Sequence, residues 1–293
     1  MAIPTWFLAR RMLMQILDIA GWVIDEDRQA PGTRPKRWVV NPDDGTQWLF
    51  KLPRENTGEA WAEQIASKIG RAIGLKTPET SLAISGDSVG SLSLNFIKPG
   101  DEFFEGGDLI SRMYTAFDRY SLNDYNISVI VEVLQEYGLD KDFMAIPVFD
   151  AFIGNQDRHC DNWGIIRSRD TFKLAPLYDN GCSLGHLVKD EDIPDMLRDE
   201  ERFLGFIRRG KSLIGLPDRK KPKYLELLTH IQMKYPNVVF KNLECLESLT
   251  DSALIAILNE VPDAYMSPIK KDFVHHLINK RKNWILNWRR NVG

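Results

Sequence analysis

Cysteine is scarce in this chain and no apolar run is long. Cys160, Cys182 and Cys245 are the only cysteines in 293 residues. Three cannot all pair, so a disulfide-stapled secreted domain is excluded and a reducing cytoplasm is the simplest compartment. The apolar stretches fall well short of the ~20 residues that span a bilayer. Arg10, Arg11 and Asp18 interrupt the start, Met1 to Trp22, where a secretory signal needs an unbroken apolar centre. Neither export nor a membrane partner is expected. Charge of one sign is lacking too: 38 Lys and Arg against 41 Asp and Glu leave a formal net charge of −3, too little to imply direct nucleic-acid binding. The chain has no internal repeat, no low-complexity tract and no glycine-rich P-loop or Rossmann fingerprint. With 43% apolar residues, it can still bury a sizeable core and divide into two lobes.

What is present is a concentrated stretch of chemistry. Gly154-Asn155-Gln156-Asp157-Arg158-His159-Cys160-Asp161-Asn162-Trp163 is followed by Asp179 within Pro176-Leu177-Tyr178-Asp179-Asn180-Gly181. Phosphoryl transfer to a hydroxyl needs a carboxylate near the acceptor oxygen and oxygen ligands for Mg²⁺, which kinases supply as Asp-x-x-x-x-Asn plus a later Asp. Asp157, Asn162 and Asp179 fit that pattern as base, metal ligand and metal ligand. Asp and Asn are common turn formers, so the pattern alone is weak; its surroundings strengthen it. Residues 142–153 are apolar nearly all round and read as one buried helix ended by Gly154. Trp163-Gly164-Ile165-Ile166 and Thr171-Phe172-Lys173-Leu174 read as strands about the turn Arg167-Ser168-Arg169-Asp170, a hairpin that returns Asp179 towards Asn162.

Upstream, Gln47-Trp48-Leu49-Phe50-Lys51-Leu52-Pro53 is an apolar strand carrying one lysine, after the turn Asn41-Pro42-Asp43-Asp44-Gly45. An edge-strand lysine is often only a solvating device, but a strand lysine can also clamp nucleotide phosphates while a helix glutamate holds it. The next helix, from about Glu59 to Ile73, offers Glu59 and Glu63 and one apolar face of Trp61, Ile65, Ile69 and Ile73. Before the strand, Pro31-Gly32-Thr33-Arg34-Pro35-Lys36 is a basic segment able to cover phosphates.

In this order the pieces resemble the HipA-like serine/threonine kinases, a bacterial family distantly related to eukaryotic protein kinases and phosphoinositide kinases. Gly32-Thr33-Arg34-Pro35-Lys36 is similar to the family's nucleotide loop, Lys51 to its strand lysine, and Glu63 to its helix glutamate. Ile153 to Asn162 is similar to its catalytic loop, and Leu174-Ala175-Pro176-Leu177-Tyr178-Asp179 to its metal segment. The resemblance implies an α+β, two-lobe protein-kinase-like fold: a small β-rich N-lobe over residues 1–97 and a larger, mainly helical C-lobe over 98–293. ATP and Mg²⁺ are the implied cofactors. Gly32, Thr33, Lys36, Lys51, Glu63, the hinge Asn95, Phe96 and Ile97, and His159 would contact the nucleotide. The implied acceptor is a protein serine or threonine, by family analogy in a translation factor or an aminoacyl-tRNA synthetase. The implied partner is an antitoxin-like inhibitory protein, which would make the chain the toxin of a toxin–antitoxin system. About 30 residues precede the nucleotide loop, so a short form without the family's additional N-terminal subdomain is expected. Thr33 stands at a different place from the serine that some members phosphorylate to silence themselves.

Other readings remain beside this one. The centre specifies donor chemistry and leaves open a small-molecule or lipid-headgroup hydroxyl as acceptor; a silent ATP-binding scaffold is the non-enzymatic alternative. His159, Cys160, Cys182 and His186 match no standard zinc spacing. The run Lys280 to Arg290 mixes basic and aromatic residues, but Phe273, Leu277, Trp284 and Trp288 recur at helical offsets. It reads as a terminal helix docked on the large lobe with a solvated basic face. Thr250 is a good N-cap for the helix that stops before Pro262.

Overall fold

The computed structural model describes residues 16–28 and 35–292. Alternation of side chains builds the first layer. In β4 (Gln47–Lys51) Trp48 and Phe50 are buried, whereas Leu49 and Lys51 are half-buried on the opposite face. A polar turn joins β3 (Lys36–Val40) to β4: the Asn41 carbonyl accepts from Gly45 N–H, and Asp44 Oδ1 accepts from Thr46 N–H. The register sets Lys36 opposite Lys51 and Val39 opposite Trp48. With β1 (Leu17–Asp18), β2 (Val23–Ile24), β5 (Thr80–Ser85) and β6 (Ser88–Leu94), these strands form a six-stranded sheet in the order β1-β5-β6-β4-β3-β2. Only the β1–β5 pairing is parallel. Ile19, Val39, Trp48, Phe50, Ala83 and Leu92 form a small core on one face.

Helix α1 (Glu59–Ala72) packs on β5 and β6. Its apolar stripe of Trp61, Ile65, Ile69 and Ile73 is buried as the periodicity requires, but it joins the large core. The N-lobe helix is thereby fastened to the helical lobe.

A second sheet, β7 (Glu102–Glu105), β8 (Gly164–Ser168) and β9 (Thr171–Leu174), is antiparallel. The β8–β9 hairpin is present, with a tighter connection than the sequence suggests: Arg167 and Ser168 remain in the strand, and Arg169 turns the chain at φ 54°. The helices of the larger lobe are α2 (Gly106–Met113), which packs on β7, α3 (Ile127–Gln135), α4 (Asp140–Phe143), α5 (Ala145–Ile153), α6 (Ile193–Arg198), α7 (Glu200–Arg209), α8 (Tyr224–Lys234), α9 (Pro236–Glu247), α10 (Asp251–Asn259) and α11 (Pro268–Val292). Thr250 caps α10 by accepting from Ala253 N–H. The whole is an α+β, two-lobe kinase-like architecture.

Two sequence expectations are corrected. The helix over 142–153 is interrupted at Met144, between α4 and α5. Pro147 lacks the N–H that would bond the Phe143 carbonyl, so the helix restarts there. The terminal helix α11 does dock through Phe273 and Leu277, but its basic face is not wholly solvated. Arg281 is buried and donates to the Ala151 and Phe152 carbonyls at the end of α5. No helix among the described residues is long and apolar enough to cross a membrane.

Candidate active site

The loop between α5 and β8 is built on one buried ion pair. Asp150 lies on apolar α5, 2% exposed, and its carboxylate receives Arg158 Nε at 3.0 Å and Nη2 at 2.7 Å. Arg158 is 1% exposed and spends its remaining donors on the chain around it: the Asn162 carbonyl (2.9 Å), the Tyr178 carbonyl (2.7 Å) and Asn180 Oδ1 (2.7 Å). Burial works against this cation, and Asp150 more than offsets it, so its pKa is raised. One side chain therefore ties the loop holding Asp157 and Asn162 to the segment holding Asp179.

Further bonds fix the loop's ends. Gly154 closes α5 in the left-handed region at φ 73°, a conformation that suits glycine, and Asn155 N–H returns to the Asp150 carbonyl. Asn155 donates to Asp150 and accepts from Asp157 N–H, while Tyr224 holds its carbonyl. Asn162 donates through Nδ2 to the Asp157 carbonyl at 2.8 Å, which leaves its Oδ1 as acceptor. The start of α2 presses on the loop: Gly106 and Gly107 N–H donate to the Trp163 and Cys160 carbonyls, and a Cβ on Gly106 would strike the Trp163 ring.

On the facing wall, Lys51 Nζ lies 3.3 Å from Asp179 Oδ1. Asp179 itself has φ 56°, an uncommon backbone for a non-glycine residue. Glu63 is buried behind the pair. Burial pushes its carboxyl up to about 7 against the pull of Lys51, with Asp179 pushing in the same direction and the Asn180 N–H opposing. Among the described residues, the Lys51 ammonium thus pairs with Asp179, and its charge also acts on Glu63. The oxygen donors of Asn162 and Asp179 suit a hard cation such as Mg²⁺.

The remaining expected residues make contacts of their own. Phe96 packs with Phe103 and Tyr178, ring centroids 5.7 and 5.5 Å away. Asn95 N–H donates to the Gln47 carbonyl, and Ile97 N–H to the Asn95 side chain. Lys36 lies opposite Lys51 in the β3–β4 register. His159 Nε2 bonds the Arg119 carbonyl and its Nδ1 lies 3.4 Å from Asp161, whose hydrogen bond raises the imidazole pKa. Gly32 and Thr33 lie outside the described residues. Cavities of about 340 Å³ between α3 and α8 and about 500 Å³ at the β8–β9 tip are lined by none of these groups.

Arg158, Asp150, Asn155 and Asn180 were not anticipated from the sequence. The available signal was Asp150 itself: a carboxylate inside an otherwise apolar helix must find a cation or a set of donors.

The HipA-like C-terminal domain family matches residues 29–200. The chain belongs to that family. Within it, the chain is similar to the serine/threonine-protein kinase CtkA of Helicobacter pylori, 24% identical over 253 residues, which is 79% of this chain and 72% of CtkA. It is also similar to the putative kinase Y4dM of Sinorhizobium fredii, 31% identical over 159 residues, 47% of this chain and 38% of that protein. The crystal structure of H. pylori proinflammatory kinase CtkA superposes with a TM-score of 0.82 at 21% identity, over 95% of this chain and 98% of that one. A chain in the HipA, HipB and operator DNA complex of Shewanella oneidensis MR-1 superposes at 0.61 and 13% identity, over 99% of this chain and 72% of that one. These likenesses establish a HipA-like kinase fold.

Proposed function

We propose that this HipA-like protein is an ATP- and Mg²⁺-dependent kinase that phosphorylates a serine or threonine hydroxyl of another protein. The observation that carries the reading is the bridge made by Arg158, which bonds the carbonyls of Asn162 and Tyr178 and so sets Asp179 beside the Asp157–Asn162 loop. Asp157 orients the acceptor hydroxyl and takes its proton as the new P–O bond forms and the bond from the γ-phosphorus to the bridging oxygen breaks, releasing ADP. Asn162 Oδ1 and the Asp179 carboxylate hold Mg²⁺. When bound, the ion neutralises phosphate charge and aligns the γ-phosphoryl group. Lys51, held at the Asp179 wall and backed by Glu63, draws the α- and β-phosphates into line. Gly32, Thr33 and Lys36 cover the phosphates, His159 borders them, and Asn95 to Ile97 form the hinge between lobes divided near residue 97.

The similar CtkA is named a serine/threonine-protein kinase, which favours a protein acceptor over a small hydroxyl compound. A chain of similar fold occurs in a toxin–antitoxin complex with HipB, which supports an antitoxin-like partner for this chain. Incubation with labelled ATP, Mg²⁺ and a bacterial lysate tests the reading, with labelled protein at serine or threonine as the expected result. Label appearing only in small molecules would move the acceptor to that class. Equal slowing of bacterial growth by the intact chain and its Asp157→Ala variant would remove kinase-driven toxicity.

A further inference from the structure

Cys182 stands three residues after Asp179, and its thiol has no task in the transfer described above. It donates to Asp157 Oδ2 at 3.5 Å and to Glu59 Oε1 at 3.7 Å, and accepts from Arg54 Nη2 at 3.3 Å. His186 completes a trio: its ring nitrogen, the Cys182 sulfur and a Glu59 oxygen all lie within 4.8 Å of one another. The backbone builds this grouping. Gly58 N–H, just ahead of α1, donates to the His186 carbonyl at 2.8 Å, and the Glu59 carbonyl lies 3.0 Å from where a Cβ on Gly181 would stand. Residues 181–186 are therefore laid against the first turn of α1 by contacts independent of the three side chains.

Thiolate, imidazole and carboxylate together are a donor set for Zn²⁺ and its neighbours, whereas Mg²⁺ takes oxygen ligands. Tetrahedral bonds of about 2.0–2.3 Å set adjacent ligand atoms roughly 3.3–3.8 Å apart, and the Cys182–Glu59 separation is already 3.7 Å. We propose that Glu59, Cys182 and His186 form an inhibitory site for Zn²⁺ or a similar divalent transition metal, distinct from the Mg²⁺ that accompanies ATP. On binding, the Cys182 S–H bond breaks, its proton leaves to solvent, and an S–metal bond forms. Glu59, which accepts from Arg54 N–H at 2.9 Å and from Arg54 Nε at 2.8 Å, exchanges Arg54 for the metal. Asp157 then loses the thiol donor that lies 3.5 Å away, and its carboxylate is drawn towards the bound cation and away from the acceptor hydroxyl. The trio His159, Cys160 and Asp161 is a poorer candidate. Its members are consecutive and Cys160 is fully buried.

The inhibitory half of this proposal rests on the kinase reading, and the binding half does not. Co²⁺ titration of the full chain, without ATP or Mg²⁺, reads binding through the near-ultraviolet charge-transfer band of a thiolate–Co²⁺ bond. One equivalent should develop the band and Zn²⁺ should displace it. Cys182→Ser should abolish the band, His186→Gln should weaken binding by about tenfold or more, and Cys245→Ser should leave it intact, with circular dichroism checking each fold. No band in the folded wild type, or a band that survives Cys182→Ser, overturns the site. Phosphoryl transfer in excess Mg·ATP then reads inhibition: Zn²⁺ should slow the wild type at concentrations about tenfold below those that slow His186→Gln. Binding through Cys182 with no slowing of transfer overturns the inhibitory role. An intact band in a protein that transfers no phosphate supports the site and removes the kinase reading instead.

Discussion

Arg158 and Lys51 both reach the segment 177–180, and the protein treats the two cations differently. Arg158 is buried, paired with Asp150, and bonded to carbonyls and an amide on both sides of the loop. Lys51 keeps 15% of its side chain exposed and faces two carboxylates, Asp179 at 3.3 Å and the buried Glu63. The first arrangement is settled by folding and holds geometry. The second sets negative charge beside an ammonium at the cleft wall, a balance that the proposed binding of phosphates and a metal would shift. Preorganisation and ligand response are thus assigned to opposite walls.

The sharpest way to break this contrast is to remove Arg158. Arg158→Met leaves Asp150 as an uncompensated buried charge and should cost about 3–5 kcal/mol of stability, read as a fall in the urea midpoint. A loss under about 1 kcal/mol would deny the hub its role. Lys51→Met should do the reverse. Without ligand it should destabilise far less than Arg158→Met, but it should erase the stabilisation by Mg·ATP, about 2.7 kcal/mol at one hundred times Kd for the wild type, in a thermal-shift titration. Asp179→Ala should behave likewise.

A smaller effect concerns pH. Burial pushes the folded-state pKa of Glu63 up to about 7, above its ordinary value of 4.5. Between those values the folded protein binds the extra proton, so the contribution of this group is fully present below 4.5 and is lost as pH rises through about 7. Thermal unfolding without nucleotide or metal should therefore show a decline in Tm across that window, and Glu63→Gln should flatten it. An unchanged slope would place the titration elsewhere. The smallest effect is expected for the exposed Arg167–Glu102 pair on the second sheet, where Arg167→Ala should stay within about 0.5 kcal/mol of the wild type.

The parts legible in the sequence were those with local signals. Alternation about Lys51 exposed β4, the apolar stripe exposed α1, and the polar loop after Gly154 located Asp157 and Asn162 near the returning Asp179. Contacts between distant residues were not legible. Nothing in the spacing of Asp150 and Arg158 states that they pair, nor that Arg281, 130 residues away from Ala151, would cap the helix before the loop. β1 and β2 are two residues each, too short to show periodicity, so the edges of the first sheet were unread. The Cys182–Asp157 contact was hidden for the same reason as the Arg158 hub: both depend on a hairpin whose closure only three dimensions reveal.

The central claim, that Asp157 is the base of a phosphoryl-transfer centre, is tested most directly by comparing wild type and Asp157→Asn in labelled-ATP transfer, with calorimetry of Mg·ATP binding on the same samples. The expected result is a loss of transfer of roughly 10²-fold or more while Mg·ATP binds as it does to the wild type. Undiminished transfer by Asp157→Asn, or a wild-type protein that binds no Mg·ATP, would contradict the account.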